Sequence, residues 1–156
     1  MNISVLRLFF YFALSTILFG CARQQPIVLV SASDQVSTND DQPLVFEAYE
    51  EKTVGPKISV LEPRSLDVGV SPMSIRVRFE AEPGSRIRPE TFRLIYDVGP
   101  FKKDITERVL GTYKPTESGL YIETASIPSG THRFTLTIED DLKRKGVKRI
   151  EIRVTG

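Results

Sequence analysis

Two residues in this 156-residue chain are the only ones of their kind, and both are types that do chemistry: Cys21 and His132. A thiol acts as nucleophile, metal ligand or half of a disulfide, and with no second cysteine an internal disulfide is excluded. A nucleophile worked by the histidine needs its base within about 3 Å and a further group to orient that base. The same-face acidic neighbour of His132 is Asp140, which along a strand rising ~3.3 Å per residue stands ~26 Å away. A partner from another strand stays open. The sequence assigns no catalytic residue, and His132 reads as structural, since it continues an apolar face just after a turn glycine.

Metal chemistry is thinly supplied. Zinc sites are built from several His or Cys ligands, and this chain has one of each. Glu139, Asp140, Asp141, Asp97 and Asp104 offer carboxylates but lack the spacing of a calcium loop, so they read as strand ends and turn caps. No metal and no cofactor is expected. The remaining candidates are cations. Lys143, Arg144, Lys145, Lys148 and Arg149 crowd one hairpin, while Arg86, Arg88, Lys102 and Lys103 flank the middle strands. Such groups can contact anionic sugars or lipid phosphates at short range. The alternative is solvated charge that keeps sheet edges from aggregating.

What positions Cys21 is the segment before it. Arg7 is followed by the apolar run 8–20, "LFFYFALSTILFG". A bilayer-spanning helix needs about 20 residues, so a 13-residue run behind a cation and ending in glycine reads as a secretory signal peptide. The last four residues, "LFGC" (Leu18, Phe19, Gly20, Cys21), resemble the lipobox of bacterial lipoproteins. The resemblance implies that the sulfur of Cys21 receives a diacylglyceryl group and that cleavage leaves Cys21 as the first mature residue. An unmodified cysteine beside an ordinary cleavage site is the alternative. Acyl chains contribute ~0.8 kcal/mol per buried methylene, and two or more hold a protein at a membrane without any anchor helix. In that family Ala22, rather than aspartate, after the cysteine points to the outer membrane.

Residues 21–56 read as the lipidated cysteine and an acidic linker. The segment 22–55 has a net charge of −4 and includes the polar stretch "SASDQVSTNDDQP". As a flexible coil of about 35 residues it would span ~30–35 Å. Two apolar islands, 26–31 and 43–49, do not suit a solvated linker, and whether either docks as an edge strand is left open.

Residues 57–156 change to period two. "SIRVRFEA" gathers Ile75, Val77, Phe79 and Ala81 on one face; "TFRLIYDV" gathers Phe92, Leu94, Tyr96 and Val98. "THRFTLTIED" contributes His132, Phe134, Leu136 and Ile138, and "KRIEIRV" contributes Ile150, Ile152 and Val154. With "KISVL", "ITERVL" and "LYIETASI" that makes seven strands, separated by turn formers. Seven short one-faced strands bury those faces by stacking as two sheets. The expected fold is an all-β, seven-stranded antiparallel Ig-like β-sandwich, with an OB-type barrel as the alternative.

"ASIPSGTHRFTLTIEDD" and "RIRPETFRLIYD" followed by "KKDITERV" resemble strands of bacterial Ig-like and fibronectin-type-III-like envelope domains. Without a tryptophan or a cysteine pair, the domain departs from the antibody type. The resemblance implies a fold rather than an activity. The expectation is therefore a non-catalytic envelope lipoprotein, held to the membrane through Cys21, with an envelope protein or polysaccharide as possible partner and no nucleic acid. The alternative is an enzyme or enzyme-accessory domain acting on envelope polysaccharide or peptidoglycan.

Overall fold

Period-two alternation becomes strands over most of the second half of the chain. A computed structural model describes residues 25–35, 54–64, 67–68 and 70–155. The apolar run 8–20, Cys21 and the island 43–49 lie outside these residues. The elements are β1 (Ile27–Val28), a 3-10 turn (Ala32–Asp34), β2 (Lys57–Glu62), β3 (Asp67–Val68), β4 (Met73–Glu80), β5 (Ile87–Val98) and β6 (Phe101–Asp104). They continue with α1 (Thr106–Leu110), β7 (Gly119–Ser126), β8 (Gly130–Asp140) and β9 (Lys145–Val154).

The strands form two sheets, in the orders β1-β7-β4-β2 and β3-β9-β8-β5-β6. Chain order carries β2 and β4 in the first sheet, β5 and β6 in the second, β7 back in the first, and β8 and β9 in the second. This is the crossing order of an immunoglobulin-type sandwich. The expected fold class holds, with differences in detail. Without the two-residue β3, each sheet has four strands. Pairing is antiparallel except for β1 with β7 and β3 with β9, which are parallel.

The inward faces are those read from the sequence. Ile75, Val77, Phe79, Phe92, Leu94, Tyr96, His132, Phe134, Leu136, Ile138, Ile150, Ile152 and Val154 are all buried, and Ala81 and Val98 pack at the rim. Each buried aliphatic or aromatic side chain contributes roughly 1.5–3 kcal/mol.

"ITERVL" departs from the strand expected there. Thr106–Leu110 is a helix of one and a half turns. Val109 and the N-cap residue Ile105 are the buried apolar residues here, four apart, a spacing that satisfies period two and period 3.6 alike. Hydrogen bonds decide: Asp104 accepts the Thr106 N–H at 2.8 Å, the Thr106 hydroxyl accepts the Leu94 N–H at 2.9 Å, and the Ile105 N–H meets the Leu94 carbonyl at 3.0 Å. These bonds fasten the helix to β5.

The island 26–31 docks. Ile27 and Val28 pair with Ala125 and Ser126 of β7, and the Leu29 N–H donates to the Ser126 carbonyl at 3.1 Å. Leu29 and Val30 are each 1% exposed. Leu29 reaches between the sheets, where it borders a residual cavity of about 20 Å³ together with Ile75, Ile122, Phe92, Leu136 and Ile150. A piece of the expected linker is thus part of the core.

Candidate functional site

The docked segment is locked by a buried carboxylate. Asp34 ends the 3-10 turn with its side chain sealed from solvent, against Lys103 of β6 and Arg108 of α1. The Arg108 guanidinium donates to both carboxylate oxygens, at 2.7 and 3.3 Å, and also to the Leu29 carbonyl at 2.8 Å. The Ser31 N–H and hydroxyl add bonds of 2.9 and 2.8 Å, and the Lys103 ammonium donates to the other oxygen. The Arg108 guanidinium first, then Lys103 and the Ser31 N–H, hold the carboxyl far below the usual carboxylate range, against the opposing effect of burial. A buried charge needs such full pairing to persist. The turn spacing Ser-x-x-Asp, from Ser31 to Asp34, is the one sequence signal for this site.

His132 is buried, and both its ring nitrogens are engaged. Nε2 lies 3.0 Å from the Pro128 carbonyl, and Nδ1 lies 3.0 Å from the Tyr96 hydroxyl. A carbonyl can only accept, so Nε2 carries the proton and Nδ1 accepts from tyrosine. Desolvation pushes the imidazole below its ordinary value, with the Pro128 bond opposing. This histidine is a satisfied core residue below the end of the sandwich.

Asp140 is fully buried, so it is not a solvated strand end. Its Oδ1 accepts the Leu142 and Arg144 N–H groups at 3.0 and 2.9 Å, and its Oδ2 accepts Arg144 Nε at 2.7 Å. Burial pushes the carboxyl up, but the Arg144 and Leu142 bonds outweigh it and leave it below the ordinary value. It is a turn cap with its own counter-ion.

The five hairpin cations do not converge. Arg144 is spent on Asp140. Lys148 sits opposite the core residue Leu136, whereas Arg149 sits opposite Thr135 on the outer face, because adjacent strand residues point to opposite sides. Lys143 and Lys145 are exposed at the tip. Of the flanking cations, Arg88 pairs with Glu90 at 2.8 Å and Lys103 pairs with Asp34. Lys102 is exposed on β6, and Arg86 is exposed just ahead of β5, where its N–H and carbonyl meet Asp141.

Among the described residues no three His, Cys, Asp or Glu side chains come together so as to hold a metal ion. No helix among them is long and apolar enough to cross a membrane. No protein-family model matches this chain, and no curated protein matches it. Sequence reasoning missed the residues that do meet: Asp34 with Arg108, and, on the exposed face of the first sheet, Arg76 with Tyr121.

Proposed function

We propose that the protein is a non-catalytic envelope lipoprotein: an Ig-like sandwich anchored through acyl chains on Cys21, which binds or braces another component of the bacterial envelope, at the outer membrane. One observation carries this reading furthest. The segment from Ile27 to Asp34, which starts six residues beyond the cysteine, belongs to the fold, held by Leu29 and Val30 in the core and by Asp34 on Arg108 and Lys103.

An anchor attached so near a rigid edge holds the whole body close to the lipid. Ile27 lies six residues beyond Cys21, and a chain extends at most ~3.3–3.6 Å per residue, so the attachment point is within roughly 20 Å of β1. The sandwich would lie against the membrane rather than on a ~30–35 Å leash. The sealed environment of His132 also favours a binding module over an enzyme. Its imidazole is buried, and both nitrogens are already bonded within the core.

The test is mass spectrometry of the N-terminus from cells making the wild type and Cys21→Ala. The reading expects a wild-type N-terminal cysteine carrying acyl mass, and retention of the unmodified precursor in the variant. A wild-type chain that keeps residues 1–20 and carries no lipid contradicts it.

A further inference from the structure

The exposed face of the first sheet carries a groove that none of the hairpin cations enters. It measures about 470 Å³, is open to solvent, and is lined by Leu61, Arg76, Lys114, Thr116, Ser118 and Tyr121, with strand backbone as its floor. Arg76 and Tyr121 are directly opposed on β4 and β7. The Arg76 guanidinium lies over the tyrosine ring, 4.5 Å from its centre. A guanidinium held over a ring face by cation–π attraction still has N–H groups with which to donate. Glu62 on the neighbouring strand lies 3.6 Å from its Nε.

The lining holds two cations and no carboxylate. Arg76 supplies a planar fork suited to a carboxylate or phosphate, and Lys114 a second, mobile positive charge. Thr116 and Ser118 place two exposed hydroxyls 3.0 Å apart on the same wall, groups that exchange hydrogen bonds with other hydroxyls. Tyr121 adds an aromatic edge and a phenol, 46% exposed. Anion-binding forks beside hydroxyls and an aromatic rim match a sugar that bears an acid group.

The shape selects among such ligands. A small-molecule site encloses most of its ligand, and this open groove on a sheet face does not. It suits a chain that lies along the surface and makes a few contacts per unit. A lipid surface is flat and would meet only the rim of a concavity.

We infer that this groove binds an acidic polysaccharide, with Arg76 and Lys114 on its acid groups and Tyr121, Thr116 and Ser118 on its hydroxyls and ring faces. The inference rests on the binding-module reading and names its ligand class, and it is independent of the anchor at Cys21.

The test titrates the full chain in detergent micelles with polygalacturonate, with uncharged dextran and with vesicles of anionic phospholipid, followed by amide NMR. The expected result is saturable shifts centred on residues 116–121 and on Arg76 with polygalacturonate alone. An R76A/K114A double variant, altered only at exposed side chains, should weaken that binding at least about tenfold, since hydrogen bonds to charged groups are the strong ones. K143A/K145A should leave it unchanged. Binding lost equally in both variants would mean diffuse charge attraction and would overturn the assignment. So would the absence of shifts in the groove, or a groove response to vesicles and not to the polysaccharide. Because the titration reads the groove and mass spectrometry reads the anchor, either can fail without the other.

Discussion

The Asp34 carboxylate and the Arg108 guanidinium, 74 residues apart in sequence, meet in two N–H···O contacts of 2.7 and 3.3 Å. The same guanidinium holds the Leu29 carbonyl, so one side chain of α1 fixes the docked segment at two points. The pair converts a stretch of linker composition into a structural edge.

Replacing Asp34 by asparagine keeps the volume and removes the charge. Truncating one partner of a fully buried ion pair costs about 3–5 kcal/mol, but here the stranded cations, 48% and 31% exposed at Lys103 and Arg108, can return to water. The cost then follows the loss of charged hydrogen bonds, about 1.5–3 kcal/mol. Urea unfolding should show D34N destabilised by about 2 kcal/mol. The pH dependence carries the same signature. Asp34 is held below its unfolded value, so its contribution is fully present above the ordinary carboxylate pKa of about 4 and is lost as pH falls below it. Asp104 and Asp140 are depressed as well, so the urea midpoint of D34N should fall less steeply than wild type below about pH 4 and still not become flat.

Tyr96→Phe should cost about 1–3 kcal/mol, the penalty for leaving a buried acceptor unmatched, because Nδ1 of His132 takes its hydrogen bond from the Tyr96 hydroxyl. In the wild type, nitrogen NMR should find His132 neutral with its proton on Nε2. Its folded pKa is lowered, so below about 6.5 the unfolded chain gains a proton that the folded one does not. Stability should decline as pH falls through that range. A charged His132 at neutral pH would refute the assignment.

Gly146→Ala should be among the most disruptive single-methyl changes. A Cβ there would stand 2.0 Å from the Pro56 carbonyl oxygen, backbone that cannot swing aside, and a Cβ on Gly55 would stand 2.5 Å from the Lys145 carbonyl. The two sheets touch at this crossing, so the methyl forces β2 and β9 apart. Overpacking typically costs about 1–3 kcal/mol, and a clash with fixed backbone puts this change at the upper end of that range. Gly84→Ala has open space around it and a φ of +81°, so its cost reduces to the left-handed backbone, about 1–2 kcal/mol. Thermal or urea unfolding of the two variants compares the two mechanisms.

The sandwich was legible because alternation is a local property. Each of β4, β5, β8 and β9 shows its inward face within a single stretch of sequence, and those faces are the ones buried. The helix at 106–110 was not, since Ile105 and Val109 fit either period and the deciding bonds to Leu94 come from another strand. Asp34 was hidden by its neighbours. A polar, acidic stretch reads as solvated, and the partners that bury this carboxylate lie 69 and 74 residues away. The hairpin cations misled in the opposite sense, because closeness along a strand puts Lys148 and Arg149 on opposite sides. Arg76 and Tyr121 become a pair only when the β4–β7 register is known.

Six residues beyond Cys21, at Ile27, the chain is already part of the folded body. Native-state amide hydrogen exchange on the full chain measures it directly, at the Leu29 N–H that bonds the Ser126 carbonyl. Exchange there should be slowed at least about a hundredfold relative to an open amide, with that protection reduced in D34N. Exchange of Leu29 at the unprotected rate, while the amides of β8 stay protected, would contradict it.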